Sequence, residues 1–164
     1  MRVAVLSDIH DHIWNLEKAL KQVEQSGCEA MLFLGDFCAP FTLAQLAEGF
    51  SGPIHGVFGN NDGDRFNLGK VGAGVENVTL HGEWAEIELG GVKIGMNHYP
   101  ELARRMAESG AYGAVFSGHD HLKYVHRVGP TLWANPGEVM GRFGEPSFGI
   151  FDTEGGGFEH VGIG

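Results

Sequence analysis

Two stretches decide the fold of this chain: "RVAVLSDIH" (Arg2–His10) and "AMLFLGD" (Ala30–Asp36). Each contains a short apolar run followed by an aspartate, which is typical of a buried parallel strand with polar residues at its carboxyl end. The segment between them, Ile13–Gln25, carries apolar residues at the spacing of an amphipathic helix. Together the three segments predict a β-α-β unit at the start of an α/β domain.

The same pattern continues towards the middle of the chain. A third strand is predicted in "PIHGVFGN" (Pro53–Asn60), and a shorter helix is predicted over Thr42–Glu48. Alternating strands and helices of this kind predict a parallel sheet that binds its ligands at the carboxyl ends of the strands.

The second half of the chain favours antiparallel strands. Glycine-containing turns of hairpin type separate three strand candidates, "NVTLHG", "WAEIELGG" and "VKIGMNH". A helix is predicted over Glu101–Glu108, and further strands are predicted in "GAVFSGHDH", "KYVHRVG", "TLWANPG" and "SFGIFDTEGGGFEHVGI". No repeat or linker interrupts the pattern, so we expect one domain over residues 1–164, with two packed sheets between helices.

The composition is that of a globular protein. Of the 164 residues, 43% are hydrophobic and 20% are charged. No apolar run reaches the roughly 20 residues of a membrane helix, so no membrane partner is expected. The amino terminus lacks the pattern of a secretory signal, which predicts a cytoplasmic location with Cys28 and Cys38 as reduced thiols.

The chain is acidic, with a formal net charge of -10 and no cluster of basic residues. An acidic surface repels polyanions, so broad nucleic-acid binding is not expected. Divalent cations bound by some of the acids would reverse the local charge and could attract a phosphate.

Polar residues follow the predicted strands. Taken singly, Asp8, Asp36 and Asn60 could each cap a helix or a turn, and His98 could be a surface residue. His119 and His121 are one residue apart, so an extended strand would point both imidazoles to the same side. Buried carboxylates and imidazoles that cluster without a cation are costly, and a metal removes that cost. The candidate ligands are Asp8, His10, Asp36, Asn60, His98, His119 and His121.

The order and spacing of "D-x-H", "GD", "GNxD", an isolated His and "GHxH" resemble those of the calcineurin-like metallophosphoesterases, in particular their small bacterial and archaeal branch. The resemblance implies a four-layer αββα sandwich of two mixed β-sheets flanked by helices. It also implies two divalent transition-metal ions, with Mn²⁺ favoured and Ni²⁺, Fe²⁺ or Zn²⁺ as alternatives.

The family's ligand roles map onto this chain by position. By resemblance, Asp8, His10 and His121 hold one metal, whereas Asn60, His98 and His119 hold the other. Asp36 bridges both metals. Carboxylate, imidazole and amide ligands suit these ions, and a shared carboxylate suits a two-metal phosphoryl-transfer site. The implied catalytic residues are Asp36, Asn60, Asn61 and His98.

Two departures from the family pattern bear on substrate choice. Asn61 stands where many relatives have a general-acid histidine, and an amide cannot protonate a leaving group. We therefore expect slow turnover, or a substrate with a good leaving group. Glu138 follows "NPG" where relatives usually have serine, and we expect it to shift substrate preference towards less negative phosphodiesters.

The resemblance implies hydrolysis of a small phosphate ester, with a phosphodiester favoured. A phosphomonoesterase or nucleotide hydrolase with the same ligands is the first alternative. The second is a non-catalytic scaffold of the same fold, as in the retromer sorting subunit, although the presence of all seven ligand types weighs against it. Small relatives often form dimers or tetramers, so a homo-oligomer is also a prediction.

Overall fold

The computed structural model describes all residues from Met1 to Gly164, with four helices and eleven strands. The helices are α1 (Ile13–Gln25), α2 (Pro40–Glu48), α3 (Arg65–Ala73) and α4 (Pro100–Glu108). The strands are β1 (Arg2–Leu6), β2 (Ala30–Phe33), β3 (Ile54–Gly56), β4 (Val78–Leu80), β5 (Trp84–Leu89), β6 (Val92–Asn97), β7 (Ala114–Phe116), β8 (Lys123–Val128), β9 (Thr131–Pro136), β10 (Ser147–Asp152) and β11 (Gly157–Gly162).

The strands form two mixed sheets. One has six strands in the order β11-β10-β1-β2-β3-β4, and the other has five in the order β5-β6-β7-β9-β8. In the first sheet β1, β2, β3 and β4 are parallel, while β10 runs antiparallel to β1. In the second sheet β7 is parallel to both β6 and β9.

The alternation of side chains along β1 shows how the layers are held together. Ala4 and Leu6 are buried with α1 and α2 in one apolar cluster, whereas Val3 and Val5 are buried against the second sheet in another. Successive strand residues point to opposite faces, so one strand contributes to both cores. A third cluster packs Ala103 of α4 on the far face of the second sheet. The layers therefore run helix, sheet, sheet, helix, and the predicted αββα sandwich is confirmed.

The observed helices refine the sequence prediction. α1 has the predicted bounds, and its first turn is capped by His12, whose Nδ1 accepts a hydrogen bond from the Asn15 amide. α2 and α4 begin earlier than predicted, at Pro40 and Pro100, because proline suits the first helical position, where no amide partner is needed.

Two features of the fold differ from the sequence prediction. α3 was not predicted, since its two internal glycines weaken helix propensity. It is nevertheless capped by Asp64 and buries Leu68. The hairpin predicted between "NVTLHG" and "WAEIELGG" is wrong, because β4 pairs in parallel with β3 and buries Val78 among the helices, while β5 belongs to the second sheet.

Both cysteines are free, as expected from the sequence. None of the four helices combines the length and the apolar character that crossing a membrane requires.

Candidate metal centre

Loops at the ends of five strands bring all seven predicted ligands together. Asp8 and His10 follow β1, Asp36 follows β2, and Asn60 follows β3. From the second sheet, His98 follows β6, while His119 and His121 follow β7. Parallel strands end at a common edge, so the two sheets place their polar loops around one site.

Three side chains face one another in the first part of the site. Oδ1 of Asp8 lies 3.6 Å from Nε2 of His10 and 3.6 Å from Nε2 of His121. The candidate ligand atoms of these three residues all lie within 4.8 Å of one another. The other oxygen of Asp8, Oδ2, accepts a hydrogen bond from the His119 amide at 3.0 Å, which fixes the carboxylate.

A second set of side chains adjoins the first. Oδ1 of Asn60 lies 3.0 Å from Nε2 of His98 and 2.9 Å from Nδ1 of His119. Asp36 lies between the two sets, because its Oδ2 is 3.4 Å from Nε2 of His98 and 3.4 Å from Nε2 of His10. One carboxylate oxygen is therefore positioned to serve both sets.

These distances fit cation binding. Metal–ligand bonds of about 2.1 Å place adjacent ligand atoms about 3.0 Å apart in octahedral geometry and about 3.4 Å apart in tetrahedral geometry. Oδ1 of Asp8 and Nε2 of His10 are buried polar atoms without a hydrogen-bond partner. Buried polar atoms are normally satisfied, so these two indicate a missing partner of positive charge. The residues therefore fit divalent cations.

The electrostatics of the site also favour a cation. Burial opposes a charge on His10, but the carboxylate of Asp8 at 3.6 Å, the sulfur of Cys38 and the charge of Asp36 together raise its pKa to about 10. Burial would raise the pKa of Asp36, yet the bond to His98 holds that pKa well below its usual range. The carboxylates thus attract positive charge, and protons compete with metal ions for the imidazole nitrogens.

Five of the seven predicted ligands have left-handed backbone conformations. Their φ angles are 55° at Asp8, 46° at His10, 62° at Asp36, 72° at His119 and 63° at His121. Such angles are uncommon outside glycine and concentrate where function requires them. They also correct the strand argument for His119 and His121: both residues lie in a loop beyond β7, and the loop turns both imidazoles towards the site.

Asn61 lies beside the shared carboxylate. Its backbone N–H donates to Oδ1 of Asp36 at 2.8 Å, and its side-chain Nδ2 donates to Oδ2 at 2.8 Å. The amide therefore orients Asp36. It offers no acidic proton to a leaving group, as the sequence indicated.

Asp62 supports the same region through hydrogen bonds with three backbone amides. Its buried carboxylate accepts hydrogen bonds from the amides of Asp36 at 3.0 Å, Gly59 at 2.7 Å and Cys38 at 2.9 Å. Asp62 therefore holds the loops after β2 and β3 together.

Glu138 is buried against one of the candidate ligands. Its side chain is only 1% exposed, and its Oε2 lies 2.7 Å from Nδ1 of His121. Glu138 therefore contacts a candidate ligand from behind. No local sequence pattern signals this contact, because the two residues are 17 positions apart.

Other polar side chains near the candidate ligands contact neighbouring protein groups. The carboxylate of Asp11 accepts from the Ala39 amide and the Thr42 hydroxyl, and Oδ1 of Asp120 accepts from Leu122 and Asn135. The exposed guanidinium of Arg142 lies 5.5 Å from the centre of the Phe143 ring, and that ring lies 5.0 Å from the ring of His121. The remaining basic side chain near the site, Arg65, hydrogen-bonds backbone oxygens of Gly59 and Asp62 and pairs with Glu83.

Comparison with known proteins identifies the family of this chain. Residues 1–156 match the family described as the calcineurin-like phosphoesterase superfamily domain. The chain therefore belongs to the calcineurin-like phosphoesterase superfamily and is a metal-dependent phosphoesterase.

Individual relatives are phosphodiesterases by name. The chain is 31% identical over 157 residues to Phosphodiesterase MJ0936 of Methanocaldococcus jannaschii, covering 94% of each protein. It is 24% identical over 176 residues to Phosphodiesterase YfcE of Escherichia coli, covering 94% of this chain and 89% of that protein.

Two solved structures have a fold similar to that of this chain. A structure described as a novel archaeal phosphodiesterase has a TM-score of 0.91 at 28% identity, covering 99% of this chain and all of that one. Vps29 of Entamoeba histolytica in complex with Zn²⁺ has a TM-score of 0.65 at 18% identity over the full length of both chains, which shows a common fold.

Proposed function

We propose that this chain is a phosphodiesterase with two divalent cations, in which a hydroxide bridging the two ions attacks the phosphorus of a small phosphate ester. The observation that carries the proposal is the position of Asp36, whose Oδ2 is 3.4 Å from both His10 Nε2 and His98 Nε2. A carboxylate shared by two ligand sets can hold two cations at the short separation that two-metal catalysis uses.

The ligand assignment implied by the family resemblance is kept as part of the proposal. Asp8, His10 and His121 would hold one cation, Asn60, His98 and His119 would hold the other, and Asp36 would bind both. The two sets of contacts around Asp8 and Asn60 support this division.

The donor atoms bear on the identity of the metal. All seven candidates offer oxygen or nitrogen, which suits Mn²⁺, Fe²⁺, Ni²⁺ and Zn²⁺, and we favour Mn²⁺. The sulfur of Cys38 lies 3.6 Å from Nδ1 of His10, on the ring edge opposite the candidate ligand atom Nε2. A thiolate ligand is therefore not part of the proposed centre.

The charges around the site support a diester substrate. Arg65 pairs with Glu83, and Arg142 is an exposed residue beside Phe143, so neither arginine forms a buried phosphate clamp. Divalent cations would then supply most of the positive charge that binds phosphate. A diester carries one negative charge and needs less neutralisation than a monoester dianion, and the named phosphodiesterase relatives agree with this preference.

Protonation of the leaving group limits the range of substrates. Asn61 is bonded to Asp36 through its amide and cannot donate a proton in the reaction. We therefore propose that water protonates the leaving group and that esters of acidic alcohols or phenols react fastest. The cytoplasmic location and the homo-oligomer stay predictions.

The proposal is tested by hydrolysis of bis-p-nitrophenyl phosphate and p-nitrophenyl phosphate. Metal-stripped protein is assayed before and after addition of Mn²⁺ or Ni²⁺, with bound metal counted by atomic emission. We expect hydrolysis of the diester to return only with metal, at two ions per chain. A protein with two bound ions that hydrolyses neither ester would contradict the proposed activity, and one bound ion would contradict the dinuclear centre.

A further inference from the structure

Glu138 lies directly behind one candidate metal ligand. Its carboxylate is buried, and both carboxylate oxygens are within hydrogen-bonding distance of protein groups. Oε2 lies 2.7 Å from Nδ1 of His121, whereas Oε1 accepts hydrogen bonds from the amides of Phe143 at 2.5 Å and Gly144 at 2.8 Å. The Glu138 side chain therefore links His121 to the loop that follows Glu138 in the chain.

This arrangement determines which nitrogen of His121 carries the proton. An ionised carboxylate can only accept hydrogen bonds, so Nδ1 of His121 must donate to Oε2. The lone pair of the neutral ring is then on Nε2, the atom that lies 3.6 Å from Oδ1 of Asp8. The bond to a carboxylate also makes the ring a stronger electron donor.

The other two imidazoles that present Nε2 to the site have weaker partners. Nδ1 of His98 lies 2.8 Å from the carbonyl oxygen of Leu34, which is a neutral acceptor. Nδ1 of His10 lies 3.6 Å from the sulfur of Cys38. Among these three rings, His121 alone is held by a carboxylate.

We propose that Glu138 is a positioning residue that holds His121 in its Nδ1–H form and thereby directs the Nε2 lone pair at a divalent cation shared with Asp8 and His10. The proposal rests on the proposed metal centre for its functional meaning. Its structural part, the tautomer of His121, can be tested without any metal.

The contacts of the carboxylate give a discriminating pair of variants. In Glu138→Gln the amide oxygen is required at the position of Oε1, since two backbone N–H groups point at it. The NH₂ group then faces Nδ1 of His121 and demands an acceptor there, which moves the ring proton to Nε2, the candidate ligand atom. In Glu138→Ala the ring is free to choose its tautomer, but the amides of Phe143 and Gly144 lose their acceptor.

Isothermal titration of metal-stripped protein with Mn²⁺ is the first measurement. We expect Glu138→Gln to weaken one of two binding sites by about 10- to 100-fold, the range typical of lost support behind a ligand. Glu138→Ala should weaken that site less, yet lower the melting temperature of metal-stripped protein more than Glu138→Gln does. If Glu138 were only structural, Glu138→Ala would lose more Mn²⁺ affinity than Glu138→Gln as well as more thermal stability. A larger affinity loss in Glu138→Ala, or wild-type affinity in Glu138→Gln, would overturn the proposal.

Nitrogen-15 spectra of the histidine rings provide a second, metal-independent measurement. At about pH 8, metal-stripped wild-type protein should show His121 protonated at Nδ1, and Glu138→Gln should show it protonated at Nε2. An Nε2–H ring in the wild type would refute the inference while leaving the dinuclear proposal intact. A wild-type chain that shows the Nδ1–H ring but binds no cation would refute the proposed centre instead.

Discussion

Replacing Asp36 with asparagine is the sharpest test of the shared carboxylate. The substitution keeps the shape of the side chain, and asparagine tolerates the left-handed backbone found at this position, with φ 62°. It removes the one negative charge that lies 3.4 Å from both His10 and His98. The variant should therefore fold but bind cations poorly.

The size of the effect can be worked from the position of the charge. A unit negative charge and a divalent cation about 4 Å apart attract by about 8 kcal/mol at an effective dielectric constant of about 20. If the amide oxygen and water recover about three quarters of this, about 2 kcal/mol is lost per cation, which is about thirtyfold in Kd. Both cations would use Asp36, so the fraction of protein that holds two cations at limiting metal should fall by the product of the two changes in Kd, about 1000-fold.

The assay combines titration with Mn²⁺ and hydrolysis of bis-p-nitrophenyl phosphate at limiting and at saturating metal. Asp64→Asn is the control, since it removes the same charge from an exposed residue and asparagine still caps α3. We expect wild-type behaviour from the control and, from Asp36→Asn, a rate that recovers only partly at saturating Mn²⁺. Wild-type Kd values and full turnover in Asp36→Asn would show that the two cations do not share this carboxylate.

Three further substitutions test the surroundings of the site. A methyl group at Gly59 would overlap the carboxylate of Asp36, so Gly59→Ala should lower the free energy of unfolding by about 2 kcal/mol and weaken Mn²⁺ binding. The control is Gly63→Ala, because the added methyl group meets open space there. Urea unfolding and titration with Mn²⁺ should give wild-type values for this control. Asp62→Asn should lower the free energy of unfolding by about 1 to 3 kcal/mol, because its amide group would oppose one of three backbone donors, and an unchanged urea midpoint would contradict this. Nδ1 of His55 lies 3.0 Å from Nε2 of His81. Burial lowers the pKa of both rings below the ordinary value of 6.5. The folded protein then binds these protons more weakly than the unfolded chain, so stability is full above about pH 6.5 and falls as the pH falls below it. His81→Gln should flatten the decline in melting temperature from about pH 7.5 to about pH 5.5, and an equally steep decline would exclude the pair as its cause.

The parts of the fold that follow local periodicity could be predicted from the sequence. α1 has its predicted bounds because its apolar spacing, cap and buried face all agree. α3 could not be predicted, since packing of Leu68 rather than propensity supports it. The partner of β4 was also hidden, because the glycine-containing turn before β5 fits a hairpin equally well, and only the burial of Val78 decides between the two.

The candidate site shows the same division. Its seven ligand candidates could be found because each follows an apolar strand, and strand ends converge at one edge. Glu138 could be recognised as unusual, but its contact with His121 was hidden, because that contact depends on how the loop after β9 folds back. The turn that aims His119 and His121 was likewise hidden, because left-handed backbone at histidine leaves no periodic signal.

The left-handed backbone at five candidate ligands has a consequence for protein engineering. Glycine would relieve on the order of 1 kcal/mol of strain at each position. A search for stabilising substitutions in metal-stripped protein would therefore converge on positions such as Asp8 and Asp36, where a gain in melting temperature removes a ligand. Selection for heat resistance in the presence of Mn²⁺ should reverse that ranking, because each ligand then contributes binding free energy to the folded state. The same residues would be the weakest points of the metal-stripped chain and among the strongest of the metal-loaded one.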